Sequence, residues 1–135
     1  MALGDLLKLF SSKKKKQPFE EYFTQTVKKL YQISDDHKRA TAVDEARAYV
    51  QEHYSGYQID DLLLNEAKQK ASIGVKQINM PKVARSIHLV SLLHEEESEH
   101  LVRSLTEVVE ANLQHTKDRL DKRDYKEMLT YIQNI

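Results

Sequence analysis

The densest run of groups able to hold a cation is His94-Glu95-Glu96-Glu97-Ser98-Glu99-His100, within which Glu97 and His100 form an E-x-x-H step. On a helix this step places a carboxylate and an imidazole on one face. Carboxylate-bridged di-metal bundles need two such steps and two further inward glutamates, and the chain contains one step. His88, His94 and His100 are spaced by six residues, which turns each about 120° from the last around a helix and points the three apart. No metal or other cofactor is therefore expected. Glu95, Glu96, Glu97 and Glu99 read as a solvated acidic face, with a docking patch for a basic partner as their functional reading. Lys13–Lys16 of the same chain are one such basic group.

The second constellation is N-terminal. Leu3, Leu6, Leu7 and Phe10 fall at i, i+3, i+4 and i+7, and Lys13, Lys14, Lys15 and Lys16 follow. A short apolar stripe beside clustered lysines suits the interface of an anionic membrane, or a protein partner. Full burial of such side chains is worth about 1.5–3 kcal/mol each, an interface buries roughly half, and helix ordering opposes it. Each lysine near anionic lipid adds about 1 kcal/mol. The sum describes weak, reversible, salt-sensitive attachment. The opposing reading docks the four apolar residues on the protein's own core and leaves the lysines as a solvated tether.

Enzymatic chemistry finds little purchase. There is no glycine-rich phosphate loop, no G-x-S-x-G elbow and no H-E-x-x-H. Asp35-Asp36 and Asp60-Asp61 stand at expected helix starts, where capping and the helix dipole account for them. A helix-turn-helix reading around Ser55-Gly56 fails on charge, because its recognition helix would begin Asp60-Asp61 and repel phosphate.

These groups must be positioned by helices. Only three glycines and two prolines punctuate 135 residues, and the apolar residues recur at helical spacing. Pro18 suits a first helical turn, and Phe19, Tyr22, Phe23, Val27, Leu30 and Ile33 give a core-facing helix over 18–33. Ser34-Asp35-Asp36 supplies an N-cap for a helix carrying Val43, Ala46, Val50 and Tyr54, which stops at Ser55-Gly56. A third helix holds Leu62, Leu63, Ala67 and Ala71, and its pattern blurs at Ile73-Gly74-Val75, where an extended piece is the alternative. Asn79-Met80-Pro81 is a break. One long helical pattern then runs from Lys82 to about Leu120, with an end and restart near Ser98 as its alternative, because residues 94–100 lack an apolar side chain. A closing helix carries Tyr125, Met128, Leu129 and Ile132. Of the seven tyrosines, Tyr22, Tyr49, Tyr54, Tyr125 and Tyr131 lie on or beside the apolar stripes, where rings cap a core. An exposed cluster of them would mark an interface.

The expectation is an all-α, compact bundle of about five helices over residues 18–135, preceded by an amphipathic segment and basic tether over 1–17. Length suits one domain. Lys+Arg and Asp+Glu both number 21, which argues against a general nucleic-acid coat. The absence of cysteine excludes disulfides and thiolate sites. No apolar run approaches a membrane span, and the N-terminus lacks the order of a secretory signal, so a cytoplasmic protein, peripheral at a membrane, is expected. The functional expectation is a non-enzymatic adaptor or regulator that binds another macromolecule, a protein or an anionic membrane surface, with self-association left open. At fold level only, and on no motif, a small helical bundle with a basic element resembles the bacteriocin immunity proteins. That likeness implies the alternative, an immunity or antitoxin-type protein that neutralises one protein partner through Glu95–Glu99. A small metal-binding or enzymatic protein is the third reading.

Overall fold

The structure, a computed structural model, describes residues 17–135. The segment holding Leu3, Leu6, Leu7, Phe10 and Lys13–Lys16 lies outside the described residues. Among those described there are six helices and no strand: α1 Phe19–Gln32, α2 Asp36–His53, α3 Ile59–Lys76, α4 Met80–Leu93, α5 Glu95–His115 and α6 Arg119–Gln133. The bundle is therefore all-helical, with one more helix than expected.

Local chemistry sets most boundaries. Pro18 precedes α1 at φ −55°, and Glu20 and Glu21 meet the positive end of its dipole. Asp35 caps α2 by accepting the Lys38 amide at 2.9 Å, and this hydrogen bond holds its carboxyl below the usual carboxylate range. Asn79 caps α4 through the Lys82 amide at 3.1 Å. Asp118 caps α6 through the amides of Leu120 and Asp121.

Several boundaries differ from the sequence expectation. The long pattern after Lys82 is two helices, divided at His94, whose extended backbone (φ −161°, ψ 102°) ends α4 and begins α5. Its Nδ1 accepts the Glu97 amide at 3.3 Å, so a histidine serves as the cap. The polar run still presents a face to the core, because Ser98 is buried and opens a stripe continued by Leu101, Leu105 and Val109. The second half stops at His115, and the closing helix begins at Arg119, before Asp121-Lys122-Arg123-Asp124. Leu120 then falls in the first turn of α6 and stays exposed. At the end of α2 the helix stops at His53, and Gly56 (φ +103°) serves the following turn.

No extended piece interrupts α3 at Ile73-Gly74-Val75. The pattern blurs there because the helix needs room more than apolar bulk. Ala67, Ala71, Gly74 and Val75 form a stripe of small buried residues, and a Cβ at Gly74 would lie 2.9 Å from Val83 Cγ2 and 3.2 Å from the Val83 amide nitrogen. Glycine lets α3 and α4 approach backbone to backbone. The turn joining them is a Schellman motif: the Asn79 amide donates to Gly74 O at 2.8 Å and the Ile78 amide to Val75 O at 3.1 Å. Its left-handed position, φ +51°, is filled by Ile78, a β-branched residue strained in that region. Packing of Ile78 against the core offsets the strain. Helix α4 lies at the centre, touching α1, α2, α3 and α5, and α6 closes the bundle against α5.

Gly74→Ala should lower the unfolding free energy by about 1–3 kcal/mol through overpacking, against the gain of about 1 kcal/mol the change brings in an open helix interior. Urea denaturation reads the sign. At the turn, Ile78→Gly should be more stable than Ile78→Ala by about 1 kcal/mol, because glycine alone relieves the left-handed backbone.

Candidate docking surface

Helix α1 places Phe19, Tyr22 and Phe23 at i, i+3 and i+4 on its first turn and a half, while the last turn of α2 carries Tyr49 and His53 and the residues that follow it Tyr54 and Tyr57. The rings meet as one cluster. Phe19 stacks on Tyr57 with centroids 3.9 Å apart and meets Tyr54 edge-on at 5.4 Å. Tyr22 stacks on Tyr49 at 4.7 Å and on Tyr54 at 5.4 Å, and the His53 ring lies 4.3 Å from Tyr49. The cluster runs from core to surface: Phe19 is 6% exposed, Tyr49 36% and Tyr57 45%. Burial pushes the Tyr22 phenol above its ordinary range.

The Tyr22–Tyr49 pair stands at one end of an open groove of about 300 Å³ between α1 and α2. Leu30, Ala42 and Ala46 form its floor, Gln25 and Lys29 one rim, and Glu45 the other. The alanines keep it open, since each leaves a gap where a larger side chain would fill the space between the helices. Gln17 lies at its edge: Tyr54 Oη donates to Gln17 O at 2.6 Å, and Gln17 Nε2 donates to Gln25 Oε1 at 3.3 Å. Lys16 is thus one peptide bond from a residue held on the groove's rim.

Of the tyrosines expected on the stripes, Tyr125 is buried and Tyr131 half-buried, whereas Tyr22, Tyr49 and Tyr54 form the half-exposed cluster with Tyr57. Phe19, Phe23, His53 and Tyr57 were not singled out as interface residues. The available signal was the aromatic density at 19–23 and 49–57.

The acidic run occupies the start of α5. Glu95, Glu96 and Glu99 are exposed, and Glu97 accepts from Lys68 Nζ of α3 at 2.8 Å. That hydrogen bond holds the Glu97 carboxyl below its usual range. Glu97 is therefore engaged within the fold, and the outward acidic face consists of the other three. Among the described residues no three His, Asp or Glu side chains converge as a metal site requires. His88 instead lies between Tyr131 Oη, 3.2 Å from its Nε2, and Asp36, 3.9 Å from its Nδ1. The second distance is too long for a hydrogen bond, so these three are not a connected proton relay.

A buried polar seam gathers the free carbonyls at the end of α1. Arg39, 2% exposed, donates from Nη2 to Ile33 O at 2.6 Å and from Nη1 to Asp36. Arg85 donates to Tyr31 O at 2.6 Å. Cations there meet the negative end of the helix dipole. Tyr31 Oη and Ser86 Oγ lie 2.7 Å apart, and Ser86 donates to Lys82 O at 2.7 Å, which leaves the tyrosine as donor between them. Periodicity held the clue to Arg39, which precedes Val43, Ala46 and Val50 on the buried face of α2.

The chain matches no family model, no curated protein and no solved structure. Among the described residues no helix is long and apolar enough to cross a membrane.

Burial pushes the Tyr31 phenol up to about 12. A raised folded-state value favours the neutral ring in the fold, so its stabilisation is complete below the unfolded value near 10 and lost as pH climbs towards 12. Stability measured by denaturant between pH 9 and roughly 12 should fall less steeply in Tyr31→Phe than in the parent, at the cost of about 1 kcal/mol at neutral pH for the lost hydrogen bond.

Proposed function

We propose that this protein is a non-enzymatic helical adaptor, cytoplasmic and peripheral to membranes. It works by binding an anionic membrane surface through its N-terminal segment and the aromatic surface beside it. The observation that carries this reading is the place where the chain meets the bundle. Gln17, held between Tyr54 and Gln25 beside a half-exposed cluster of tyrosines, directly follows the lysines at 13–16 in the sequence. Tyrosine favours membrane–water interfaces, and lysine adjoining it is drawn to anionic headgroups. The stripe Leu3, Leu6, Leu7 and Phe10 supplies the apolar contact of such an attachment.

A second reading, neutralisation of one basic protein partner, is favoured by the three outward carboxylates Glu95, Glu96 and Glu99, which Lys68 does not reach. It predicts a stoichiometric protein complex lost when these three become lysine.

Co-sedimentation of the full chain with anionic and neutral vesicles, at low and high salt, separates the two. Binding should be confined to anionic vesicles and weaken with salt. Lys14→Ala with Lys15→Ala should cost about 2 kcal/mol, or roughly thirtyfold in affinity, and Leu6→Glu should abolish it while helix content stays unchanged. Equal binding to both vesicle types, or binding indifferent to these changes, would sink the membrane reading.

A further inference from the structure

We propose that the groove between α1 and α2 is the seat of the chain's own stripe, Leu3, Leu6, Leu7 and Phe10, taken up in cis when no membrane is present. The proposal rests on reading that stripe as an amphipathic helix, as the adaptor reading does. Residues 1–16 lie outside the described residues, and the features that select this occupant belong to the groove and to the point where the chain leaves it.

The first feature is form. Two helices flank a floor of Leu30, Ala42 and Ala46, the kind of trough in which a partner helix lays an i, i+3, i+4, i+7 stripe. From Tyr22 to Leu30 the groove follows α1 for eight residues, about 12 Å. A helical stripe from Leu3 to Phe10 is about 10 Å long, so the lengths match. The second feature is attachment. Gln17 is hydrogen-bonded to Gln25, itself a lining residue. Seven residues, Ser11 to Gln17, reach about 23 Å when extended, enough to return the stripe along the groove in either direction. A tether that short holds its cargo at an effective concentration on the order of millimolar, which a free partner helix would have to exceed. The third is chemistry. The flat Tyr22–Tyr49 pair at the groove's end offers an aromatic face suited to Phe10.

The consequence is regulatory. A stripe seated on Leu30 and Ala46 is withheld from lipid, and the lysines at 13–16 remain the part an anionic surface meets first. Their attraction to headgroups draws the stripe out, so the groove and the membrane compete for the same four side chains.

The chain has no cysteine, so paired substitutions report proximity without background. In the full-length monomer, Leu9→Cys with Glu45→Cys places one thiol beside the stripe and one on the groove rim. Leu9→Cys with Ser104→Cys places the second on the exposed face of α5 instead. The expected result is intrachain cross-linking by a short bis-thiol reagent about tenfold faster for the Glu45 pair. Adding Leu6→Glu should reduce it to the Ser104 rate, with helix content by circular dichroism unchanged. Equal rates for the two pairs, a Glu45 rate indifferent to Leu6→Glu, or a product joining two chains would each overturn the proposal. Vesicle binding by the unsubstituted protein is a separate readout. Vesicle binding without the Glu45 cross-link removes the groove as the seat and leaves the adaptor reading standing. The cross-link without vesicle binding does the reverse.

Discussion

Helices α3 and α4 meet where a Cβ is missing. Gly74 sits against Val83 so closely that an added methyl would lie 2.9 Å from the valine side chain, and Ala71 and Ala67 extend the same low-relief face one and two turns back. Close contact of this kind gives each atom near neighbours on every side, and dispersion accumulates only at such distances. Because α4 is also the helix that touches α1, α2 and α5, the separation of this pair sets the positions of the rest. The turn that joins them is short enough to need a left-handed residue, and Ile78 occupies it under strain. Asn79 ends one helix with its amide and begins the next with its side chain, so no slack remains between them.

The two ends of α1 are held by different physics. Its C-terminal carbonyls are taken up by the guanidiniums of Arg39 and Arg85, from α2 and α4, in a buried seam where unpaired carbonyls would be costly. Its N-terminal turn is held by stacked rings, which tolerate partial exposure because tyrosine keeps a polar tip in water. Between these fixed ends α1 and α2 stand apart over alanines, and the groove follows from that spacing. That surface is apolar and aromatic, and Gln17, which follows four lysines in the sequence, is hydrogen-bonded at its edge.

Charge elsewhere is handled locally. Asp35 and Asp118 neutralise helix ends, Glu97 pairs with Lys68 across α3 and α5, and Arg47 bridges Asp60 through Nε and Nη2 at 2.8 and 2.9 Å. The balanced total of 21 cationic and 21 anionic side chains therefore hides an uneven arrangement, with the consecutive lysines near one end of the sequence and three exposed carboxylates at the start of α5.

What the sequence determined by itself is what depends on neighbours in the chain. The all-helical class, the cap at Asp35, the break at Asn79-Met80-Pro81, the proline start at 18 and the core stripes of α1 and α2 follow from i to i+3 and i+4 relations, which any reader of the chain can lay out. The tertiary structure decided matters that depend on what lies across from a residue. Whether seven polar residues end a helix at His94 turned on Ser98 finding a buried place against neighbouring helices. Whether Gly74 broke or continued α3 turned on the backbone of Val83. Arg39, polar in sequence, became core because carbonyls of another helix end lay above it, and Tyr49 and Tyr57 became surface because the rings beneath them were already covered. Local hydrogen bonds are written in adjacent letters; the partner of a packed face is not, since it is set by contacts between residues tens of positions apart.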